Sequence, residues 1–257
     1  MNDFLESSTL YTPLGALLVL LAPILGSFIG VLIARVPSRQ NFIQGRSQCA
    51  SCGHELAAFE LVPIASFVAL RGKCRHCHAA IPWRDFVIEV AAIGVTALAC
   101  LVPDPEAAIC GVALGQTLLA LAGIDFVALR LPDFLTLPLV LAGLFEAWFL
   151  EPEEVTDRAI AAALGYLVFR AISETYRHFR GRAGLGEGDA KLLAAGGAWL
   201  GVAALPYVVL IGAGAALVYA LVLAMRQGRG VVNQRLPFGP FLAAGIFALW
   251  LYRLSMG

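Results

Sequence analysis

Charge is scarce in this chain. Only 14% of its 257 residues are Asp, Glu, Lys or Arg, and 60% are hydrophobic. A soluble domain carries about 25% charged residues, so a soluble globular fold is excluded. Formal net charge is zero. The total by itself says nothing about partners; no nucleic-acid partner is expected. The N-terminus lacks the basic region of a cleavable signal peptide, since Asp3 and Glu6 stand there, and the apolar run that follows is too long for one. It is expected to be a permanent anchor. No Gly-rich nucleotide-binding loop follows a strand-like run, and no convincing internal repeat is present. Cysteine is limited to six residues.

Long apolar runs are abundant. A bilayer span needs about 20 apolar residues. Eight such runs are read, at 10–34, 84–102, 106–129, 131–150, 156–176, 189–200, 203–225 and 238–254. The sixth is short and rich in Gly and Ala, which suits a tilted or half-length helix. Apolar runs of this length select helices, because a helix satisfies its own backbone polar groups in lipid. The expected fold is an all-α polytopic membrane protein of about eight spans with mean hydropathy +0.81. Small residues in GGAWLG and IGAGAA favour close helix contact in spans six and seven. The functional bundle is expected to comprise spans three to six.

Lys and Arg collect on the cytoplasmic side of membrane proteins. With eight spans, 16 of the 18 Lys and Arg residues fall in alternate connections, and only Arg158 and Arg253 fall on the other side. That places both termini outside, and Asp125 and Asp189 near the cytoplasmic face.

The one sizeable polar segment, 35–84, contains CASCGHEL and GKCRHCHAAIP. Cys49 and Cys52 form one Cys-x-x-Cys pair, and Cys74 and Cys77 form a second. This double-knuckle spacing predicts a tetrahedral zinc site, and four thiolates leave no open position, so the ion would be structural. His54, His76 and His78 are read as solvent-facing knuckle residues. Cys100 and Cys110 are read as apolar filler rather than a disulfide.

Two aspartates remain. Asp125 ends the third run, and Asp189 begins the sixth within GLGEGDAKLL. Acids at membrane depth are costly and mark function by default. Paired carboxylates can share a proton, one acting as base toward water and the other as acid. The competing reading for Asp189 is a helix cap. Asp125 resists that reading, because a negative charge at a helix end opposes the dipole. Gly184, Gly186 and Gly188 would permit unusual backbone angles and close approach of another chain. Asp133 follows Pro132 as a cap or helper. Lys191 would pair with a carboxylate or sit at the interface, and Glu187 is read as a loop charge. Glu89 and Glu146 lie inside apolar runs, Glu89 being the more conspicuous.

The sequence resembles the type IV prepilin peptidases, the leader peptidases and N-methyltransferases of type IV pilus and type II secretion systems. GSFIGVLIARVP (26–37), FELVPIASFVALRGKCRHC (59–77), IDFVALRLPDFLTLPL (124–139) and GEGDAKLL (186–193) resemble the family's motifs in order. The resemblance implies that Asp125 and Asp189 are the catalytic pair, with Gly186, Gly188, Lys191 and Asp133 in support. It implies cleavage of prepilin or pseudopilin precursors after glycine, at the cytoplasmic face of a bacterial inner membrane. It also implies methylation of the new N-terminal residue from S-adenosylmethionine. Gly30 stands where the first motif usually has Asn, and Leu61 and Val62 follow Glu60 where many members have Asn and an aliphatic residue. The expected organisation is a first span (1–34), a tetracysteine domain associated with methyl transfer (35–84) and a peptidase bundle (85–257). The alternatives are a protease-only member and, from another class, a zinc-containing membrane scaffold or transporter.

Overall fold

The structure is a computed structural model that describes residues 8–38, 46–180, 186–227 and 236–256. Gly184, Arg229 and Arg235 lie outside the described residues, as do Asp3 and Glu6. Among the described residues there is no β strand, only two isolated bridges, Gln48 with Glu55 and Lys73 with Ala80. Eight long helices dominate the described residues: α1 Pro13–Arg35, α2 Trp83–Ala99, α3 Pro105–Ala128, α4 Asp133–Leu150, α5 Val155–Arg180, α6 Glu187–Leu200, α7 Leu205–Gln227 and α8 Gly239–Met256. They fall on the eight apolar runs. Among the described residues, four helical stretches, 13–35, 105–128, 133–150 and 202–227, are long and apolar enough to cross a bilayer. Large apolar side chains such as Leu141, Leu210 and Leu217 point outward, as lipid-facing residues do. This is a membrane protein.

The chain divides into two compact units, Met1–Ala120 and Leu121–Gly257. In the first, α1 packs along α2. Gly26 makes the approach possible, because a Cβ there would lie 2.7 Å from Glu89 Cα. Thr12 caps α1 by accepting from Gly15 N at 3.2 Å. The Gln116 amide donates to Ala92 O and Thr96 Oγ1, each at 2.8 Å, tying α3 to α2 inside the apolar interior. Cys100 is wholly buried, and Cys100 and Cys110 are both thiols.

The second unit is built around α6. From Asp189 onward every residue of this 14-residue helix except Lys191 is buried. At about 1.5 Å per residue it is about two-thirds of the ~30 Å hydrocarbon thickness, short of a full span but longer than the half-length helix considered for the sixth run. Its neighbours are α4, α5, α7 and α8. Small residues permit this crowding: a Cβ on Gly197 would lie 2.5 Å from the Ala161 backbone, and one on Gly196 would lie 3.0 Å from Ile246. Trp199 fills the space over Gly143 and donates to Leu139 O at 2.8 Å. The glycines of α7 behave differently. Gly212 contacts Leu242, while Gly214 meets nothing within 4 Å, so IGAGAA is only partly a packing seam.

Arg158 and Arg253, the two exceptions to the charge pattern, are explained by pairing. Arg158 is fully buried and bonds Glu146 and Glu151, and Arg253 also bonds Glu151. Glu146, an acid inside an apolar run, is thereby neutralised by its partner rather than presented for chemistry.

Candidate active site

Asp125 lies three residues before the C-terminal end of α3 and is only 5% exposed. Its own helix end repels negative charge. The compensation comes from another helix: Gly239 N, in the first turn of α8, donates to Asp125 Oδ2 at 2.9 Å. Gly239 has to be glycine, since a Cβ there would lie 2.8 Å from the same oxygen.

Asp189 is 9% exposed and occupies the third position of α6. Its Oδ2 accepts from Gly186 N at 3.1 Å. This is one half of a capping box, because glycine has no side chain to complete the other half. The cap role is therefore real, but it uses one carboxylate oxygen only. Each acid thus sits at the N-terminus of a helix, where N–H groups favour negative charge, and those two helices, α6 and α8, pack together. Asp125 acts electrostatically on Asp189. The structure therefore brings the two acids, 64 residues apart in sequence, into one buried site.

The neighbouring residues have distinct roles. Gly186 and Gly188 are not in the left-handed region. Proximity is what requires them: a Cβ on Gly188 would lie 2.7 Å from Leu131 Cβ, and one on Gly186 would lie 3.0 Å from Asp189 Oδ2. Lys191 Nζ bonds Asp133 Oδ1 at 2.7 Å and approaches Glu187 at 3.8 Å. The pair joins the starts of α4 and α6 beside the buried acids.

In the first unit, the knuckles fold as the cysteine spacing requires. Cys49 N donates to His54 O at 2.9 Å, and Cys74 N donates to Ala79 O at 2.8 Å. Gly53 takes φ 70° to close the first turn. The four Sγ atoms lie within 4.8 Å of one another. Cys49 Sγ and Cys77 Sγ are 3.8 Å apart, which matches the edge of a tetrahedron with ~2.3 Å metal–sulfur bonds. Backbone N–H groups of Cys52 and Ser51 pull the Cys49 thiol down from its ordinary 9.0 to about 6, while burial and the neighbouring thiols push Cys77 up to about 11, so the four sulfurs titrate as one cluster. The cluster is compatible with a zinc ion. His54 and His76 are exposed, with ring centroids 3.5 Å apart and planes tilted by 37°, beside Glu60.

A model of the bacterial peptidase A24 N-terminal domain matches residues 20–102, and a model of the type IV leader peptidase family matches residues 112–221. A Burkholderia pseudomallei (strain K96243) protein named prepilin leader peptidase/N-methyltransferase is 41% identical, covering 90% of this chain and 82% of that protein. The chain belongs to the type IV leader peptidase family. Family proteins of the same name from Dichelobacter nodosus and Pseudomonas aeruginosa are each 33% identical, covering 98% and 90% of this chain and 97% and 88% of theirs. No solved structure matches. In this leader peptidase chain, sequence reasoning passed over Gly239. Its PFGP context at 237–240 reads as an ordinary helix start, and nothing local connects it to an acid 114 positions earlier. The pairing of Arg158 with Glu146 was equally hidden, although each stood out as a charge in an apolar setting.

Proposed function

We propose that this chain is a membrane aspartic endopeptidase that removes the leader of type IV prepilin or pseudopilin precursors and then N-methylates the new N-terminal residue. One observation carries the peptidase reading. Two buried carboxylates sit at the N-termini of two packed helices, each held by a single backbone N–H and each keeping its other oxygen without a hydrogen-bond partner among the described residues. Two acids so close in a low-dielectric site do not both ionise easily, so they hold one proton between them. The ionised Asp takes a proton from water as that water attacks the scissile carbonyl. The protonated Asp donates to the carbonyl oxygen, and the proton then passes to the leaving amine. Asp125 and Asp189 are the catalytic residues in this reading. Gly239, Gly186 and Gly188 are positioning residues, and the Lys191–Asp133 pair supports the helix starts around them.

Cys49, Cys52, Cys74 and Cys77 would hold zinc in a closed four-thiolate site that rigidifies the 35–84 segment. S-adenosylmethionine would supply the methyl group. The protein would lie in a bacterial inner membrane with about eight spans, both termini outside and the acids facing the cytoplasm, where a basic leader enters. In this scheme 1–34 anchors the chain, 35–84 serves methyl transfer and 85–257 forms the peptidase bundle. The names and coverage of the relatives support the activity; the charge distribution supports the orientation.

The test is co-expression with a prepilin-type substrate, comparing wild type with Asp125→Asn and Asp189→Asn by intact mass. Wild type yields mature product carrying one added methyl group. Each variant leaves full-length precursor, a loss of at least ~10²-fold. Wild-type-like processing by either variant refutes the dyad.

A further inference from the structure

Each thiol pair carries a histidine that the four-thiolate site does not use. His54 follows Cys52 by two residues, and His76 lies between Cys74 and Cys77. Cys49 N donates to His54 O at 2.9 Å, so closing the first turn fixes the His54 backbone. His76 sits at the tip of the second turn, which His78 N closes by donating to Cys74 O at 3.0 Å. The two folded knuckles thereby set two imidazoles side by side, with centroids 3.5 Å apart. Their ring nitrogens have no hydrogen-bond partner among the described residues.

The third member of this group is an acid. Glu60 lies in a single 3₁₀ turn, Ala58–Leu61, and is only 9% exposed. Its Oε2 accepts from Ala57 N at 2.8 Å, and its Oε1 has no hydrogen-bond partner among the described residues. No described Lys or Arg pairs with it. The guanidinium of Arg75, next to His76 in sequence, lies instead over the Phe59 ring at 5.2 Å from the centroid. A buried carboxylate without a cation is costly. One donor atom from each of His54, Glu60 and His76 lies within 4.8 Å of the other two. Ligands bound at ~2.1 Å to one tetrahedral ion stand ~3.4 Å apart, so small rotations of the two exposed rings bring all three groups onto a common cation.

We propose that His54, Glu60 and His76 form a second metal site, distinct from the four thiols, that takes an exchangeable first-row divalent cation such as zinc. The inference rests on the two thiol turns being folded and is independent of the peptidase reading. Two imidazoles and one carboxylate suit zinc and its first-row neighbours, whereas magnesium and calcium favour all-oxygen sites. Three protein ligands leave at least one position to water, so this ion exchanges with solvent where the closed four-thiolate site does not. The Ala57 N–H holds the carboxylate in orientation through Oε2. Four thiolates also outweigh the charge of one divalent ion, so the neighbouring cluster favours a second cation. Bound there, the ion clips both knuckles to the 58–61 turn.

The test uses the full-length, untagged enzyme in detergent, washed with a chelator that strips open sites. Zinc is then titrated back by calorimetry, and bound metal is counted by elemental analysis. Wild type is expected to keep one equivalent through the wash and to take up a second, which excess magnesium does not displace. His54→Ala, His76→Ala and Glu60→Gln are each expected to weaken the second uptake by at least about tenfold, with the retained equivalent unchanged. That retained ion shows that the knuckles are still folded. His78→Ala is the control and should match wild type. Both imidazoles are exposed, so the two histidine variants decide the outcome even where Glu60→Gln disturbs the fold. A wild type that takes up no second ion overturns the site, and so does uptake unchanged in both histidine variants. A wild type that keeps no ion through the wash, yet shows histidine-dependent uptake, overturns the four-thiolate zinc reading and leaves this site standing.

Discussion

Replacing Gly239 with alanine tests the site at a residue that the dyad chemistry does not itself require. The added Cβ would lie 2.8 Å from Asp125 Oδ2 and 3.1 Å from Asp125 Cγ. Carbon atoms in good contact sit about 3.5–4.0 Å apart, so the carboxyl group has to withdraw by roughly half an ångström. Asp125 is buried among packed helices and has little room to recover its position. A misplacement of about 1 Å costs on the order of 10²-fold in rate, so Gly239→Ala is expected to lower kcat about tenfold, with KM near wild type. The assay is the initial rate of precursor cleavage by purified enzyme, with product quantified by intact mass. Gly214→Ala is the control. It lies within α7 with nothing in reach of a new Cβ, so it should gain up to ~1 kcal/mol of helix stability and leave the rate unchanged. Wild-type kcat in Gly239→Ala would show that the 2.9 Å contact to Asp125 does not hold the catalytic geometry.

Three further outcomes are expected. Arg158→Met leaves Glu146 and Glu151 without their buried partner and should destabilise by ~3–5 kcal/mol, read as a lowered midpoint of thermal unfolding in detergent. Adding Glu146→Leu should recover much of that loss. Cys49→Ser or Cys74→Ser should lower bound zinc from one equivalent toward zero by elemental analysis, because three thiols do not close the tetrahedral site. Lys191→Met breaks a pair whose Asp133 side chain is 58% exposed. It should cost no more than ~1 kcal/mol and slow cleavage far less than either dyad substitution, which initial rates would show.

Much of this protein could be read from the chain alone, because the bilayer imposes strong local rules. A span has to be a long apolar helix, so composition and run length already mark the eight helices. The double Cys-x-x-Cys spacing marks the thiol cluster, since metal ligation needs residue type and spacing more than remote context. Asp125 and Asp189 stand out because acids are rare in such runs. What the chain could not reveal is what each acid meets. Asp125 is tolerated at the end of its own helix only because Gly239 N, from the start of the last helix, reaches it at 2.9 Å. The expected bundle of spans three to six omits that eighth helix. Arg158 breaks the charge pattern until tertiary packing buries it against Glu146 and Glu151. Gly186 and Gly188 invite an explanation from backbone angles, but in the fold they are required by the proximity of Asp189 and Leu131. Periodicity, run length and ligand spacing are properties of neighbouring residues. The partner of a buried charge, and the clearance around a glycine, depend on chain segments distant in sequence, and only the tertiary structure decided them.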